Sequence, residues 1–424
     1  MSVQASRPAY DRKWVSGPRQ YSGAEHQLTR PWKEQAKGLR LVGHSDLNGW
    51  GDAFQIRVSK GICYVAASGI NGNDGITILD VKDPRKPKVL NQLRDSEAAR
   101  THKVLQITDD IMITNSELRP GMKEKHPGVK GGLRVLDTSD PINPKFVRYA
   151  ETDGLGIHRP IYDARRKLMY SSGFKNGCEG RILLIHDMKD PSDPQPIGEW
   201  WLEGQKTGET PVWDPQIIQV GCHEAHPYGD YLTVAWWDAG VIMMDLKDPR
   251  KPKMMWRHSP HETHGWAGAN HTFIVPEGSE FAIIAQEAVV VNCAHPPAHV
   301  TFYDLRNIAV PQVASTFMPY DIDPRTMRPR DDKWCKTGSR YGAHNLWHGM
   351  KADDLLYVCW FNAGLRVVDW SNPFNPKEVA YYIPAGNAER ACPQSNDVFV
   401  DRDTGPIYVS DRWGLGLHIL ERTN

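Results

Sequence analysis

Short apolar runs recur along the chain, and each ends at an acidic residue. They read ITILD, LRVLD, LLIHD, VIMMD, VTFYD, LRVVD and LHILE, and they end at Asp80, Asp137, Asp187, Asp245, Asp304, Asp369 and Glu421. Alternating or continuous apolar runs of this length predict β-strands. A proline-containing segment such as DPRKP follows the first six runs. Proline lacks the amide proton that a strand ladder needs, so these segments predict turns.

Each run belongs to a larger repeating unit. A further short strand such as PKVLNQL follows each turn, and two strands such as AFQIRV and ICYVAAS precede each run. The acidic ends lie 50 to 65 residues apart. Seven four-stranded units of this size predict an all-β fold, a single seven-bladed β-propeller over residues 38–424. The segment GLRLVGH is expected to close the last blade as an N-terminal strand, which leaves residues 1–37 as an arm.

The strand-and-turn units resemble the LVIVD repeat, which is named for the strand that here reads ITILD or LRVVD. This resemblance covers nearly the whole chain and implies a propeller. More distantly, the chain is similar to selenium-binding proteins and methanethiol oxidases, which are metal-dependent propellers with histidine ligands. Neither resemblance implies one chemistry, so function has to be argued from the site.

Histidine recurs at the first residue of the predicted innermost strands. The seven positions are Asp52, His102, His158, His223, His271, His344 and Asn396. In a propeller the innermost strands line the axis, so these side chains are expected to meet on one face. Imidazoles with a carboxylate are typical ligands of a divalent transition metal. The five histidines are therefore the predicted metal ligands; four histidines, or three with Asp52, remain alternatives.

Further candidates come from the same predicted face, where the long insertions 115–132, 203–222, 286–299 and 320–343 also fall. Long loops in compact domains are often functional. The predicted catalytic acid/base residues are Asp52, His264 and Glu287. The predicted substrate-binding residues are His44, Arg159, Trp266, Trp347, His348 and Asn396. His226 competes with His223, and His348 with His344, for a place in the ring, and we prefer the first of each pair.

Composition narrows the class of protein. The chain has 51 basic and 51 acidic residues, whereas a nucleic-acid-binding protein usually shows a basic excess. No apolar run is long enough to span a bilayer, and residues 1–14 lack the apolar core of a secretory signal, so we expect no membrane partner and a cytoplasmic protein. Seven scattered cysteines do not predict a disulfide framework. Homo-oligomerisation stays open.

These observations predict a metal-dependent enzyme that acts on a small organic substrate, aromatic or carboxylated. Oxidoreductase or oxygenase chemistry is favoured, because a histidine-rich site with open positions suits iron or copper that binds both dioxygen and substrate. One alternative is a lyase, isomerase or hydrolase that uses the ion as a Lewis acid. A second alternative is a binding propeller without catalysis. The metal (Fe, Mn, Cu or Zn) is left open.

Overall fold

Antiparallel β-strands form nearly all of the regular structure in the computed structural model of the chain. It describes residues 30–68, 74–122, 124–214, 217, 219–259, 269–294, 298–323, 325–326 and 328–423. Within those ranges the helical segments are two short 3-10 turns, Leu47–Gly49 and Asp332–Cys335. No helix in the described part is long and apolar enough to cross a membrane. The fold is all-β and propeller-like, as the sequence predicts.

Two strands, β1 (Gln35–Lys37) and β2 (Leu39–Ser45), precede a series of consecutive antiparallel meanders. Unit 1 comprises β3 (Ala53–Ser59), β4 (Ile62–Ser68), β5 (Asp74–Asp80) and β6 (Lys88–Arg94). Unit 2 comprises β7 (Ala99–Arg100), β8 (Val104–Gln106), β9 (Ile111–Leu118), β10 (Gly132–Asp137) and β11 (Lys145–Glu151). Unit 3 comprises β12 (Ile157–Asp163), β13 (Leu168–Phe174), β14 (Arg181–Asp187) and β15 (Gln195–Trp200). In each unit, the strands pair with their neighbours in chain order, except that β7 and β8 both pair with β9.

The later units follow the same plan. Unit 4 comprises β16 (Val220–Tyr228), β17 (Tyr231–Trp237), β18 (Val241–Asp245) and β19 (Lys253–His258). Unit 5 comprises β20 (Ala269–Ile274), β21 (Phe281–Glu287), β22 (Val300–Asp304) and β23 (Gln312–Phe317), followed by the hairpin β24 (Ile322–Asp323) and β25 (Arg328–Pro329). Unit 6 comprises β26 (Leu356–Cys359), β27 (Leu365–Asp369) and β28 (Lys377–Ile383). Unit 7 comprises β29 (Ser395–Val400), β30 (Ile407–Asp411) and β31 (Gly416–Arg422). The pair Trp237–Asn270 joins units 4 and 5 into one eight-stranded sheet.

The acidic residues at the strand ends have a local structural role. β5, β10, β14, β18, β22 and β27 all end at the predicted aspartates. In each case the carboxylate accepts a hydrogen bond from the backbone N–H two residues later, for example from Lys82 to Asp80 at 3.0 Å. This Asx-turn leads the chain out of the strand and into the proline-containing segment. The predicted strand-and-turn repeat is therefore confirmed.

The N-terminal strands attach to two different units. β2 pairs with β31 and so completes the sheet of unit 7, as predicted. β1 pairs with β28 of unit 6, although the sequence assigned its residues to an arm outside the fold. Apolar core fills the space between neighbouring units, and one cluster joins Leu417 and Ile419 of unit 7 to Val65 of unit 1.

One disulfide, between Cys293 and Cys335, joins the loop after β21 to the second 3-10 turn. The sequence predicted no disulfide framework. The cysteine count and spacing alone gave no pairing, because the two residues are 42 positions apart and are brought together only by the insertion that follows unit 5.

Candidate metal centre

The predicted ring positions coincide with irregularities in strand pairing. Register is lost at His158, His223, His271 and Asn396, each of which falls within a break in the pairing of its strand. A β-bulge turns a side chain away from the regular pleat and is common beside functional sites. In unit 2 a side chain replaces the ladder, because Asn115 Oδ1 accepts from the backbone N–H groups of His102 (2.8 Å) and Lys103 (2.9 Å).

The five predicted histidines lie side by side as a continuous row. Ring centroids are 4.5 Å apart for His102–His158, 5.1 Å for His158–His223, 4.0 Å for His223–His271 and 4.6 Å for His271–His344. All five are buried. We call these five residues the histidine arc. The structure therefore brings together, from five separate units, the residues that the sequence selected as ligands.

The hydrogen bonds of the arc fix the tautomers of four rings. The Nδ1 of His158 faces a Glu117 carboxylate oxygen at 2.6 Å, and the Nδ1 of His223 faces the His271 carbonyl at 2.8 Å. The Nδ1 of His344 faces the Asn396 carbonyl at 2.9 Å. Carbonyl and carboxylate oxygens only accept, so each of these Nδ1 atoms carries the proton.

His271 reaches the same tautomer through a hydroxyl. Its Nδ1 lies 2.7 Å from Thr272 Oγ1, which in turn donates to Glu224 Oε2 at 3.0 Å. Because that hydroxyl proton is already committed, Thr272 accepts from His271. All four rings therefore present an unprotonated Nε2, with the Nδ1–H held by an acceptor. This is the usual arrangement of histidines that ligate a metal through Nε2.

Two of these lone pairs face each other. The Nε2 atoms of His158 and His223 are 3.3 Å apart, and the Nε2 of His271 has no hydrogen-bond partner within the described residues. Both Nε2 atoms of the first pair are acceptors, so no proton joins them in the neutral state. Two nitrogens at about 2.1 Å from one tetrahedral ion are roughly 3.4 Å apart. The donor set and this spacing fit a shared cation.

Burial keeps the arc neutral. It lowers the pKa of His102 to about 3 and that of His271 to about 4, and it holds the pKa of His158, His223 and His344 well below the ordinary value. A protonated ring therefore does not explain the contact between His158 and His223 at neutral pH. Neutral imidazoles bind a metal without first losing a proton.

Two glutamates flank the arc. Glu117 lies 3.4 Å from His102 Nε2 and pairs with Arg100 at 2.5 Å. Burial alone would raise the pKa of Glu117, but Arg100 and the adjacent histidines outweigh it and hold this pKa well below its usual range. His102, Glu117 and His158 each offer a ligand atom within 4.8 Å of the others.

Glu287, a predicted catalytic residue, occupies the other flank. It lies 3.6 Å from His344 Nε2, pairs with Arg340 at 2.7 Å, and forms a second close group with His223 and His271. Burial acts to raise its pKa, but Arg340 and other neighbouring charges lower it below the usual value. Both glutamates are therefore ionised at neutral pH.

Residues at or next to the ends of the second strands lie near the arc. Glu117, Phe174, Trp237 and Glu287 are the seventh residues of β9, β13, β17 and β21. The Trp237 ring lies 4.6 Å from that of His223. In unit 6, Phe361 stacks on His344 at 4.6 Å.

Two aromatic residues near the arc have unusual backbone conformations. Trp237 has a φ of 47° and Phe361 a φ of 42°, a left-handed conformation that bulky side chains rarely adopt. Such strain is found at functional sites, where the surrounding structure holds it.

The residues that follow four of the arc histidines, together with the residue after Asn396, form a buried polar layer. Lys103, Arg159, Glu224, Asn345 and Asp397 are all buried. Arg159 lies 3.1 Å from Glu224 and 3.3 Å from Asn345. Burial raises the pKa of Asp397 to about 7 and lowers that of Lys103 to about 8. Arg159, predicted to bind substrate, is therefore committed to an ion pair within this layer, and its role in binding stays a prediction.

A third group lies beyond this layer. His226 and His348 both direct Nε2 at Glu224 Oε2, at 3.1 and 3.3 Å, and their rings are 4.7 Å apart. The sequence placed His348 at the substrate. The structure places it beside His226, separated from the arc by Glu224 and Thr272, and its role in substrate binding stays a prediction.

The remaining predicted residues are distributed differently. Asp52 and Asn396 are fully buried, and the carbonyl of Asn396 supports His344. His44 is on β2, the outermost strand of its sheet, where Nε2 contacts the Leu415 carbonyl at 2.7 Å. Trp347 packs on Tyr357.

Within the described part of the chain, neither His44 nor Trp347 contacts the arc. His264 and Trp266 lie outside the described residues.

Sequence reasoning missed Glu117. A signal was present in the sequence. Glu117 occupies the same strand position as Glu287, which was selected, and alignment of the second strands identifies both. Arg181 and Arg340 carried no comparable pattern.

Comparison with known proteins supports the fold. The family model for the LVIVD repeat matches residues 353–383, which is one repeat. No curated protein matches the sequence. The resemblance to selenium-binding proteins and methanethiol oxidases stays a prediction.

Solved structures give fold-level matches. The chain is 10% identical to Raptor of Chaetomium thermophilum, with a TM-score of 0.59 over 93% of this chain and 30% of that one. Sqt1 of Saccharomyces cerevisiae gives 0.55 at 7% identity over 91% of this chain and 99% of that one. A chain of the mitotic checkpoint complex gives 0.52 at 11% identity over 99% of both chains. At such identities the likeness concerns the fold alone, and this chain spans less than a third of the Raptor chain.

Proposed function

We propose that the seven units close into a seven-bladed propeller and that the protein is a metal-dependent enzyme acting on a small organic substrate. The contacts between unit 7 and unit 1 support closure: the Asp397 carboxylate accepts from the backbone N–H of Ile56 at 2.9 Å, and Ser410 donates to the Phe54 carbonyl at 2.6 Å. In a closed propeller the histidine arc lies around the axis.

One observation carries the metal assignment. The unprotonated Nε2 atoms of His158 and His223 face each other at 3.3 Å in a buried environment. Without a cation, two lone pairs in contact repel. We assign the metal to the arc, with His158, His223, His271 and His344 as ligands through Nε2 and His102 as a fifth candidate. Glu117 and the Asn396 carbonyl orient the rings.

We favour oxidoreductase chemistry. Iron or copper bound by neutral imidazoles with open positions would supply the binding and activation of dioxygen beside an aromatic or carboxylated substrate. The chain's own residues prepare the site: Trp237 and Phe361 cover His223 and His344 and exclude water, while Glu117 fixes the orientation of His158. The substrate is a small molecule, not a nucleic acid or a membrane, and a cytoplasmic location stays a prediction.

The position of Glu287 favours a non-redox alternative. Its ionised carboxylate lies beside His344, with Arg340 on the other side, so it is placed to take a proton from a substrate held at the arc. In a lyase, isomerase or hydrolase, the ion would act as a Lewis acid for the same substrate.

Elemental mass spectrometry of the full chain, purified without a histidine tag, tests the proposal. We expect a stoichiometric transition metal in the wild type and its loss in His158→Ala and His271→Ala. His44→Ala is the matched control and should retain the metal, because His44 lies on an outer strand. Iron or copper would favour the oxidative function, and manganese or zinc the Lewis-acid function. A folded protein that was never exposed to chelator and yet contains no metal would refute both and leave a binding propeller.

A further inference from the structure

Arg181 is a buried guanidinium in an unusual setting next to the arc. It begins β14 and is 9% exposed. Its guanidinium lies over two aromatic rings, 5.8 Å from the centroid of Phe174 and 5.7 Å from that of Trp237. Nε donates to the carbonyl of Cys222, the residue before His223, at 3.2 Å. Its position is thereby fixed by three contacts, none of which is to a carboxylate.

The arginines nearby differ in this respect. Arg100, Arg159 and Arg340 each lie within 3.1 Å of a glutamate oxygen. Across the described ranges, no carboxylate lies within 4.0 Å of Arg181, and its hydrogen bond is the one that Nε donates to Cys222. Burial lowers the pKa of Arg181, and the Glu117 charge opposes this only from beyond ion-pair distance. A buried charge without a direct ion pair is costly, and two aromatic faces recover only part of that cost. An anionic ligand would supply the missing partner.

The position of Arg181 connects it with the arc. After burial, its charge is the largest influence that lowers the pKa of His158, and it also lowers the pKa of His223. Trp237 contacts both the guanidinium and the His223 ring. An anion bound by Arg181 therefore lies close to His158 and His223, whose Nε2 atoms define the proposed metal position.

The surrounding backbone holds Arg181 rigidly. Gly180 has a φ of 66°, and a Cβ there would lie 2.2 Å from the Val220 carbonyl oxygen. A Cβ on Gly221 would lie 2.8 Å from the Arg181 nitrogen. This close approach of two chain segments leaves little freedom at the base of the side chain. A preorganised cation binds an anion with a smaller loss of entropy.

We propose that Arg181 binds the carboxylate of a planar, aromatic substrate, with Trp237 as the wall against which the ring lies. A guanidinium matches a carboxylate in shape, because two parallel N–H groups meet two oxygens. The catalytic meaning of this site rests on the proposed function, because the bound carboxylate would hold the substrate's reactive atoms against the metal at the arc. Binding of the anion itself does not require the metal.

Calorimetric titration of the metal-free full chain with benzoate, and with benzamide as its neutral counterpart, tests the proposal. We expect wild-type protein to bind benzoate about tenfold or more tightly than benzamide. Arg181→Met should remove this preference. Arg402→Met is the matched control, because Arg402 also lies over a tryptophan, Trp347, at 4.8 Å. Among the described residues, its guanidinium contacts Gly349 and Asp354 and not the arc. It should bind benzoate as the wild type does.

The outcomes separate this proposal from the previous one. Absence of benzoate binding, equal affinity for benzamide, or unchanged binding in Arg181→Met would overturn the anion site. If Arg181→Met does not fold, the comparison of benzoate with benzamide in the wild type still decides. Metal content, measured on the same preparations, tests the proposed function independently. We expect a folded Arg181→Met to retain its metal while losing benzoate.

Discussion

Glu117 offers the sharpest test of how the arc is organised. Its Oε2 accepts from His158 Nδ1 at 2.6 Å, and Arg100 lies 2.5 Å from its Oε1. Glu117→Gln preserves size and retains one acceptor oxygen for His158. It removes the negative charge and places an amide NH₂ against the Arg100 guanidinium, where two donors meet.

The expected loss of metal affinity follows from the change in the hydrogen bond between residue 117 and His158. A hydrogen bond to a charged group contributes about 1.5–3 kcal/mol, whereas a neutral one contributes about 0.5–1.5 kcal/mol. The difference, about 1–1.5 kcal/mol, corresponds to roughly a tenfold loss of metal affinity. The unfavourable contact with Arg100 adds to it, so the expected weakening is about 10–100-fold, the usual range for a residue that orients a ligand.

The assay is a competition titration of metal-free protein with Zn²⁺ against a chromophoric chelator, which avoids redox chemistry. Glu151→Gln is the control, since the Glu151 side chain is half-exposed and its ion pair, with Lys130 at 3.7 Å, lies at the surface. Near-ultraviolet circular dichroism would verify that both variants keep their packing. An unchanged zinc affinity in a well-folded Glu117→Gln protein would refute the reasoning, as would an equal loss in the control.

Three further predictions concern stability. Burial lowers the pKa of His186 from 6.5 in the unfolded chain to about 4 in the folded protein. Below pH 6.5 the unfolded chain therefore takes up a proton that the folded protein does not, so the contribution of neutral His186 to the free energy of unfolding is complete above pH 6.5 and is lost as the pH falls towards 4. In urea melts between pH 6.5 and 4, the free energy of unfolding of His186→Phe should fall less steeply with pH than that of the wild type, by up to about 1.4 kcal/mol per pH unit. Equal slopes in the two proteins would contradict this prediction. Joint replacement of Cys293 and Cys335 by serine should lower the unfolding free energy by about 2–4 kcal/mol in chemical melts, and reduced wild type should behave alike. Arg159→Met should lower the free energy of unfolding by about 3–5 kcal/mol in the same melts, because it leaves Glu224 short of a counter-ion. The double variant with Glu224→Gln should recover part of this loss. If the effects of the two substitutions on the free energy of unfolding simply added, the ion pair would be contradicted.

The parts of the fold that local chemistry determines were predictable. The strand ends at Asp80 and Asp245 follow from an Asx-turn that each aspartate makes with its own backbone, so the sequence signal is also the physical cause. The positions of His158 and His271 were predictable because the same strand start repeats in every unit. The β-bulges that turn these rings towards one another have no signal of their own in the sequence.

Tertiary contacts were much harder to read. Nothing in the sequence distinguishes the surroundings of Arg159 from those of Arg181, except that Arg159 follows the predicted ligand His158. Arg159 was therefore the arginine predicted to bind substrate. Successive side chains on a strand point in opposite directions, so a residue next to His158 is directed away from the arc, towards Glu224. Arg181 reaches the arc from the third strand of its unit, and nothing in its sequence neighbourhood indicates this.

Charge balance at the arc connects the two proposals. Both flanking glutamates are already matched by arginines, and the imidazoles are neutral, so these residues offer little surplus negative charge to a divalent ion. The guanidinium of Arg181 adds a further positive charge beside the same position. A metal bound there without another ligand would be repelled by Arg181, whereas a carboxylate between them is attracted by both. On this reasoning the substrate supplies the negative charge that the protein withholds, and a neutral substrate would leave the site electrostatically unfavourable.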